Sequence, residues 1–406
     1  MRVAIIGLGG VSETFYNWPE RTLGRALVRR GHQVTAYGYR YPDNPDLRDD
    51  EQIDGITVLR VPPRIWRNGA YLRHLVSQPQ PHVVHIMHPR NALAYAAAAH
   101  FRRVGVPLVY TWLGPFHDEY LIDDREAPYE QTPHYERLIF DQQTAIRRAF
   151  ASRRLKYTLR NFALHWPLRQ ATRWLPCSQH EADILNAHFG IPAARTSVIP
   201  LWIDDTPYSQ TDVEVEGART ATRPWILYIG QLTRRKCYDL VVEAMPTIVA
   251  AHPTATFLFV SHNPEQRAHL MQLAAERGVA ANLRFLGKIS EAEKASLMRQ
   301  SNVYLYPSRY EGFGLPLLEA MAAGVPLVST NIPVVNETVQ HEVNGLLIPY
   351  NDAPALAAAT LRLLADAELG QRLIAGGRQT LANRYAESKL VAAVEAEYRL
   401  AIEQGA

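Results

Sequence analysis

Two blocks of this 406-residue sequence hold side chains whose types and spacing could do chemistry. The first runs from Ser308 to Glu319 and carries two glutamates, Glu311 and Glu319, with seven residues between them. An ionised carboxylate accepts hydrogen bonds from hydroxyls, as acidic residues do with ribose in other doubly wound folds. Gly312 and Gly314 flank Phe313, so the backbone there can bend and approach a ligand closely. The second block, Gly230-Gln231-Leu232-Thr233-Arg234-Arg235-Lys236-Cys237, offers three successive cations beside another glycine. A helix start behind the Gly312–Gly314 loop suits a phosphate and Glu319 suits hydroxyls, and the two together suggest a nucleotide sugar. A lone Gly-Phe-Gly would be an ordinary turn, and a lone Arg-Arg-Lys a basic one; the two glutamates around Gly-Phe-Gly-Leu-Pro are more specific.

The elements that must position these groups are legible. Val303 to Tyr306 is a short, β-rich apolar run and reads as a buried strand, ended by Pro307 and Ser308. Pro316 suits the first turn of a helix, Leu317 to Ala323 is strong helix-forming sequence, and Gly324 with Pro326 stops it. Val325 to Ser329 reads as the next strand. A helix N-terminus behind a glycine loop presents free N–H groups and a positive dipole end, which favours an anion. The cationic block follows an apolar strand, Trp225 to Ile229, and precedes a helix.

The Glu311–Glu319 block resembles the signature of the family-four retaining glycosyltransferases, which have the GT-B fold. The resemblance implies that Glu311 lies near the donor sugar and acts in catalysis. It implies that Glu319 binds the ribose and that Gly312, Phe313, Gly314 and Leu315 wrap the diphosphate and sugar. The family pattern at the second block is Gly-Arg-Leu, a spacer and Lys-Gly, with both cations holding the diphosphate. Lys236 matches the lysine, while Gln231 replaces the arginine and Cys237 the glycine. Arg234 or Arg235 can restore the lost charge, and Arg235 joins Gln231 in the donor-binding set. Lys288, in Gly287-Lys288-Ile289, falls at a strand end near the expected base site.

The chain opens with a strand, Val3 to Ile6, then Gly7-Leu8-Gly9-Gly10, a helix ending at Gly31 and a strand from Gln33 to Tyr37. The third glycine of a dinucleotide fingerprint is missing, since Ser12 stands there, and no acid ends the second strand, so a nicotinamide site is disfavoured. In the resembled family the N-terminal glycine pair faces the donor phosphates, a role carried to Gly9 and Gly10. Strands are expected at 56–59, 82–86, 107–111 and 196–199, with an alanine-rich helix over 91–103. This alternation predicts parallel, doubly wound sheets. Many family members place a donor-contacting histidine in the loop after Thr111, where this chain has Leu113. His117 is the candidate replacement; the plain alternative is a loop-bracing histidine.

Apolar residues make up 47% of the chain, which excludes global disorder, and the net charge of +3 does not argue for nucleic acid. Two cysteines, Cys177 and Cys237, form neither a disulfide framework nor a metal pattern, and a reducing cytosol fits. No run approaches the length needed to span a bilayer. From Gln142 to His180 there is no acid, while eight cations alternate with aromatic and leucine side chains. That stretch reads as a peripheral contact with an anionic membrane at its inner face, or as a solvated helical face.

The sequence therefore predicts an α/β protein of GT-B class, two Rossmann-like doubly wound domains facing across a cleft. The expected parts are an acceptor-side domain over 1–204, a linker over 205–223, a nucleotide-sugar domain over 224–383 and a helix over 384–406 that returns to the first domain. The expected activity is retaining transfer of a sugar from a nucleotide diphosphate to a glycan or lipid-linked acceptor, with no cofactor and no metal. A catalytically inactive nucleotide-sugar binder and a GT-B epimerase are the alternatives.

Overall fold

The computed structural model describes residues 1–13, 16–40, 48–61, 68–88, 92–111, 166–262 and 266–405. His117 and the 142–165 part of the basic stretch lie outside them. The chain divides into two units, Met1–Trp202 with Glu387–Ala406, and Ile203–Ala386.

In the first unit, β1 (Arg2–Ile6), α1 (Pro19–Arg29), β2 (Gln33–Tyr39), β3 (Asp50–Ile53), β4 (Ile56–Val61), α2 (Asn68–Ser77), β5 (Val83–Ile86), α3 (Ala92–Arg103), β6 (Leu108–Tyr110), β7 (Arg173–Trp174) and α4 (Gln179–Phe189) follow in order. The sheet order is β3-β4-β2-β1-β5-β6-β7. β5 is wholly buried and β1 nearly so, as expected of parallel strands covered on both faces. Two expectations need correction. β3 pairs antiparallel with β4 around a tight turn in which Asp54 and Gly55 both take positive φ, 52° and 79°. Asp50-Glu51-Gln52 carries no apolar pattern, so this edge strand was invisible in the sequence. The 196–199 run is no strand, and only Thr196 bridges to Trp174. Its Ser197 and Ile199 N–H groups donate to Trp174 and Pro176 carbonyls, but Pro176 has no N–H to return.

The second unit opens with 203–223. It includes the expected linker, 205–223, and is held to its own unit by side-chain contacts. Asp212 pairs with Arg299 at 2.7 Å, and Val213 exchanges two hydrogen bonds with the Ser296 hydroxyl. Then come β8 (Trp225–Ile229), α5 (Tyr238–Ala251), β9 (Thr256–Val260), α6 (Arg267–Glu276), β10 (Leu283–Gly287), α7 (Glu291–Gln300), β11 (Val303–Tyr306), α8 (Leu315–Ala323), β12 (Leu327–Thr330), α9 (Pro333–Asn336), β13 (Leu346–Ile348), α10 (Ala353–Ala365) and α11 (Ala367–Arg384). Sheet order is β10-β9-β8-β11-β12-β13, all parallel. The chain runs outward from β8 one way and from β11 the other. The carboxyl ends of β8 and β11 therefore flank a topological switch point, where open α/β sheets bind ligands.

The last helix, α12 (Glu387–Gly405), belongs to the first unit. Leu390, Val391, Val394 and Tyr398 join α1's Leu23 and Leu27 in its core. The Tyr398 hydroxyl and Thr111 hydroxyl each lie within hydrogen-bond reach of buried His85, at 2.6 and 2.8 Å, and burial holds that imidazole's pKa down to about 3.

Candidate functional site

The second unit's switch point gathers both chemical blocks. β8 delivers Gly230, and a single 3-10 turn over Arg234–Lys236 carries the cations to α5. The Tyr228 hydroxyl braces that loop from below by donating to the Gln231 and Lys236 carbonyls, at 3.0 and 3.2 Å. Cys237 caps α5 in the left-handed region, at φ 51°. A residue with a Cβ costs roughly 1–2 kcal/mol in that conformation, which glycine adopts freely.

β11 delivers the other block. Gly314, at φ 100°, turns the chain into α8, with Pro316 in the first turn and no side chain capping the helix start. Gly324, at φ 71°, closes α8 as the sequence indicated. Glu311 is 6% exposed, and its carboxylate joins the two loops. Lys236 Nζ donates to Glu311 Oε1 at 2.5 Å and to the Tyr306 hydroxyl at 3.2 Å. Arg235 Nη1 lies 3.3 Å from Glu311 Oε2 and donates to the Tyr310 carbonyl at 2.9 Å. The backbone closes the link, since the Arg309 N–H donates to the Arg235 carbonyl at 2.8 Å.

Burial by itself would raise the Glu311 pKa. The charges of Lys236 and Arg235, with hydrogen bonds from Lys236 and Ser308, outweigh it and hold the value at about 2. Burial pushes the Lys236 ammonium down, helped by Arg235 and opposed by Glu311. The result is a Glu311 carboxylate, ionised at neutral pH, buried between the Lys236 and Arg235 side chains.

Glu319 sits one turn into α8 and is 5% exposed. Its Oε1 accepts from Lys294 Nζ, on α7, at 2.9 Å, and Lys294 also lies 2.7 Å from Glu291. Of the other expected donor-binding residues, Gly312 and Phe313 are buried, Leu315 is half-buried, and Gln231 and Lys288 are exposed. Gln231 lies 3.5 Å from His262.

Gly9 and Gly10 lie in the first unit. Gly9 takes φ 108°, and a Cβ there would stand 2.6 Å from the Tyr39 carbonyl oxygen. The Gly10 N–H donates to Glu20 Oε2 at 2.5 Å and the Leu8 N–H to Glu20 Oε1 at 2.9 Å. Buried Glu20, raised in pKa by burial, thus accepts from the amide of Gly10, one of the two glycines expected to face the donor, and from that of Leu8. Part of the basic stretch is also internal. Arg173 is buried and pairs with Glu397 at 2.6 Å, and Trp174 is buried in the core.

Tyr306, Lys294 and Glu20 also meet the site and loop residues, though no sequence motif singles them out. Tyr304 and Tyr306 share one face of β11, so period-two tyrosines in an apolar strand were a usable signal for the first. Nothing in sequence separation pointed to Lys294 or Glu20. Among the described residues, no cluster of His, Cys, Asp and Glu could hold a metal ion, and no helix is long and apolar enough to cross a membrane.

Known proteins match both units. A model described as "Glycosyltransferase Family 4" matches residues 21–206, and one described as "Glycosyl transferases group 1" matches 210–380. A glycogen synthase of Mycobacterium tuberculosis is 31% identical over 241 residues, 59% of this chain and 56% of that protein. A D-inositol 3-phosphate glycosyltransferase of Geodermatophilus obscurus is 31% identical over 252 residues, 58% of this chain and 54% of that protein. The matched stretch spans about half the length of these relatives. A sucrose-phosphate synthase structure from Thermosynechococcus elongatus superposes with TM-score 0.74 at 21% identity, covering 98% of each chain. The Anabaena protein HepE in complex with UDP and glucose superposes with TM-score 0.72 at 16% identity, again over 98% of each chain. The fold is GT-B, as the sequence predicted.

Proposed function

We propose that this chain, which belongs to glycosyltransferase family 4, transfers a sugar from a nucleoside-diphosphate donor to an acceptor hydroxyl with retained anomeric configuration. The observation that carries the reading is the buried Glu311 carboxylate held between Lys236 and Arg235, beside the uncapped start of α8. A departing diphosphate needs positive charge that is already in place. Lys236, Arg235 and the α8 amides can supply it without reorganisation, and Glu311 keeps both cations aimed. Glu311 would also face the donor sugar and steady positive charge at its anomeric carbon. Glu319 would accept from the ribose hydroxyls. Fixed cations make a metal unnecessary in this scheme, and the donor is a substrate rather than a cofactor.

The acceptor we assign is a glycan or lipid-linked hydroxyl. Support for a lipid comes from the acid-free 142–180 stretch, less Arg173 and Trp174, which are inside the fold. A second reading, an inert nucleotide-sugar binder, is favoured by exposed Gln231, which stands where the family pattern has an arginine. The test is incubation with UDP-, GDP- and ADP-sugars and assay for free nucleoside diphosphate. Slow donor hydrolysis, accelerated by an acceptor, supports transfer. Binding without release supports the inert reading, and no binding to any donor overturns both.

A further inference from the structure

We infer that Lys294 is a positioning residue for nucleoside recognition: it fixes one oxygen of Glu319 and leaves the other presented to the ribose hydroxyls of a nucleoside diphosphate. The inference rests on the ribose reading of Glu319 given above and deepens it. α7 and α8 bring the two groups together across 25 positions of sequence, with Lys294 Nζ 2.9 Å from Glu319 Oε1. The lysine is held on its other side by Glu291, at 2.7 Å. The Lys294 and Glu319 side chains are 15% and 7% exposed, so this is a screened-from-water pair and not a surface salt bridge of little consequence. Among the described residues, Glu319 Oε1 has this lysine and Oε2 has no hydrogen bond to the protein.

The element that carries Lys294 is itself anchored. Ser290 caps α7 and Glu293 reciprocates, while the Ser296 hydroxyl ties the helix to Val213. The ammonium therefore arrives at Glu319 on a braced helix. Burial alone would push the Lys294 pKa down, and the Glu319 and Glu291 carboxylates more than offset it, so the ammonium stays charged. Without that ammonium, Glu319 Oε1 loses the partner that fixes it, and the carboxylate is free to rotate away from the ribose hydroxyls. A carboxylate that is not held in one orientation discriminates poorly for a hydroxyl. A lysine that served stability alone would melt the unit when removed but leave the preference for ribose untouched.

The experiment compares calorimetric affinities for UDP, GDP and ADP with those for their 2′-deoxy counterparts. Wild type should favour at least one ribonucleotide over its deoxy partner by about ten- to a hundredfold, as loss of a hydrogen bond to a charged group implies. K294M, checked for folding by circular dichroism, should reduce that ratio to within about threefold, and K294R should restore most of it. If K294M does not fold, K294Q is read in its place against the same two outcomes. A folded variant without the charge that keeps the wild-type ratio overturns the inference and leaves Lys294 a stabilising ion pair. A wild type that binds nucleotides but ignores the 2′-hydroxyl overturns the ribose reading of Glu319, and this inference with it.

Discussion

Replacing Glu311 with glutamine tests the electrostatic core of the site. Glutamine is nearly isosteric with the protonated acid, so E311Q removes the charge and little else. The carboxyl is 6% exposed and lies 2.5 Å from Lys236 and 3.3 Å from Arg235. Its pKa falls from an ordinary 4.5 to about 2. At about 1.36 kcal/mol for each pH unit, that difference contributes about 3 kcal/mol to the second unit's stability at neutral pH. The sign follows from where the proton binds. The folded-state value lies below the unfolded one, so the contribution is fully present above about 4.5 and lost as pH falls through about 2. E311Q should therefore be less stable than wild type by about 3 kcal/mol at neutral pH, with the difference shrinking as the pH approaches 2. Hydrogen exchange of the β8 and β11 amides, corrected for intrinsic rates, gives the second unit's opening free energy separately from the first. A neutral-pH difference below about 1 kcal/mol, or one that does not shrink with acid, would mean that the Glu311 charge does not stabilise the site.

Other changes address function. Glu319→Ala should weaken donor affinity by about ten- to a hundredfold with the fold intact, since hydrogen bonds to a charged group contribute roughly 1.5–3 kcal/mol; unchanged calorimetric affinity removes Glu319 from the site. Lys236→Met should lower turnover on the order of a hundred- to a thousandfold while raising KM less, because its charge is needed most as the diphosphate departs. Turnover within about twofold of wild type would make Lys236 a structural cation only. Activity should persist in excess EDTA, and loss reversed by added magnesium or manganese would contradict metal independence. Changing Arg147, Arg148, Arg153 and Arg154 together to glutamine should abolish co-sedimentation with anionic liposomes, which should itself fade near 1 M salt, where screening is about 3 Å. A wild type that ignores such liposomes at low salt points instead to a soluble acceptor.

Much of the architecture was legible because single residues punctuate it. Pro307, Gly314, Pro316 and Gly324 each mark a boundary of the β11–α8 unit, and each stands where its backbone geometry requires. The all-parallel second sheet followed from strand and helix alternation. What sequence could not convey was partnership at long range. Arg173 looked like one cation in a basic surface, but its neutralising Glu397 is 224 positions away on α12. Beside Gly9 and Gly10, Glu20 accepts from the Leu8 and Gly10 amides, a partner 10 to 12 positions away that the glycine pattern does not indicate. Cys237 takes the left-handed region at φ 51°, which its residue type does not signal. Arg234 and Arg235 were equivalent in sequence, and folding aims Arg235 at Glu311. Periodicity reports which face of an element is buried; it does not report which side chain of another element meets it there.

On the function proposed above, the β8–β11 switch point of the second unit takes a nucleoside-diphosphate sugar. The most direct test is a thermal-shift panel of UDP-, GDP- and ADP-sugars, with NADH as a dinucleotide control, on wild type and on a Glu311→Gln, Glu319→Ala double variant. One nucleotide sugar should raise the wild-type melting temperature, since a ligand at about a hundred times its Kd stabilises by roughly 2.7 kcal/mol. The double variant, still folded, should lose that shift. If no nucleotide sugar moves the wild type, if NADH alone does, or if the double variant responds as wild type does, the claim is wrong.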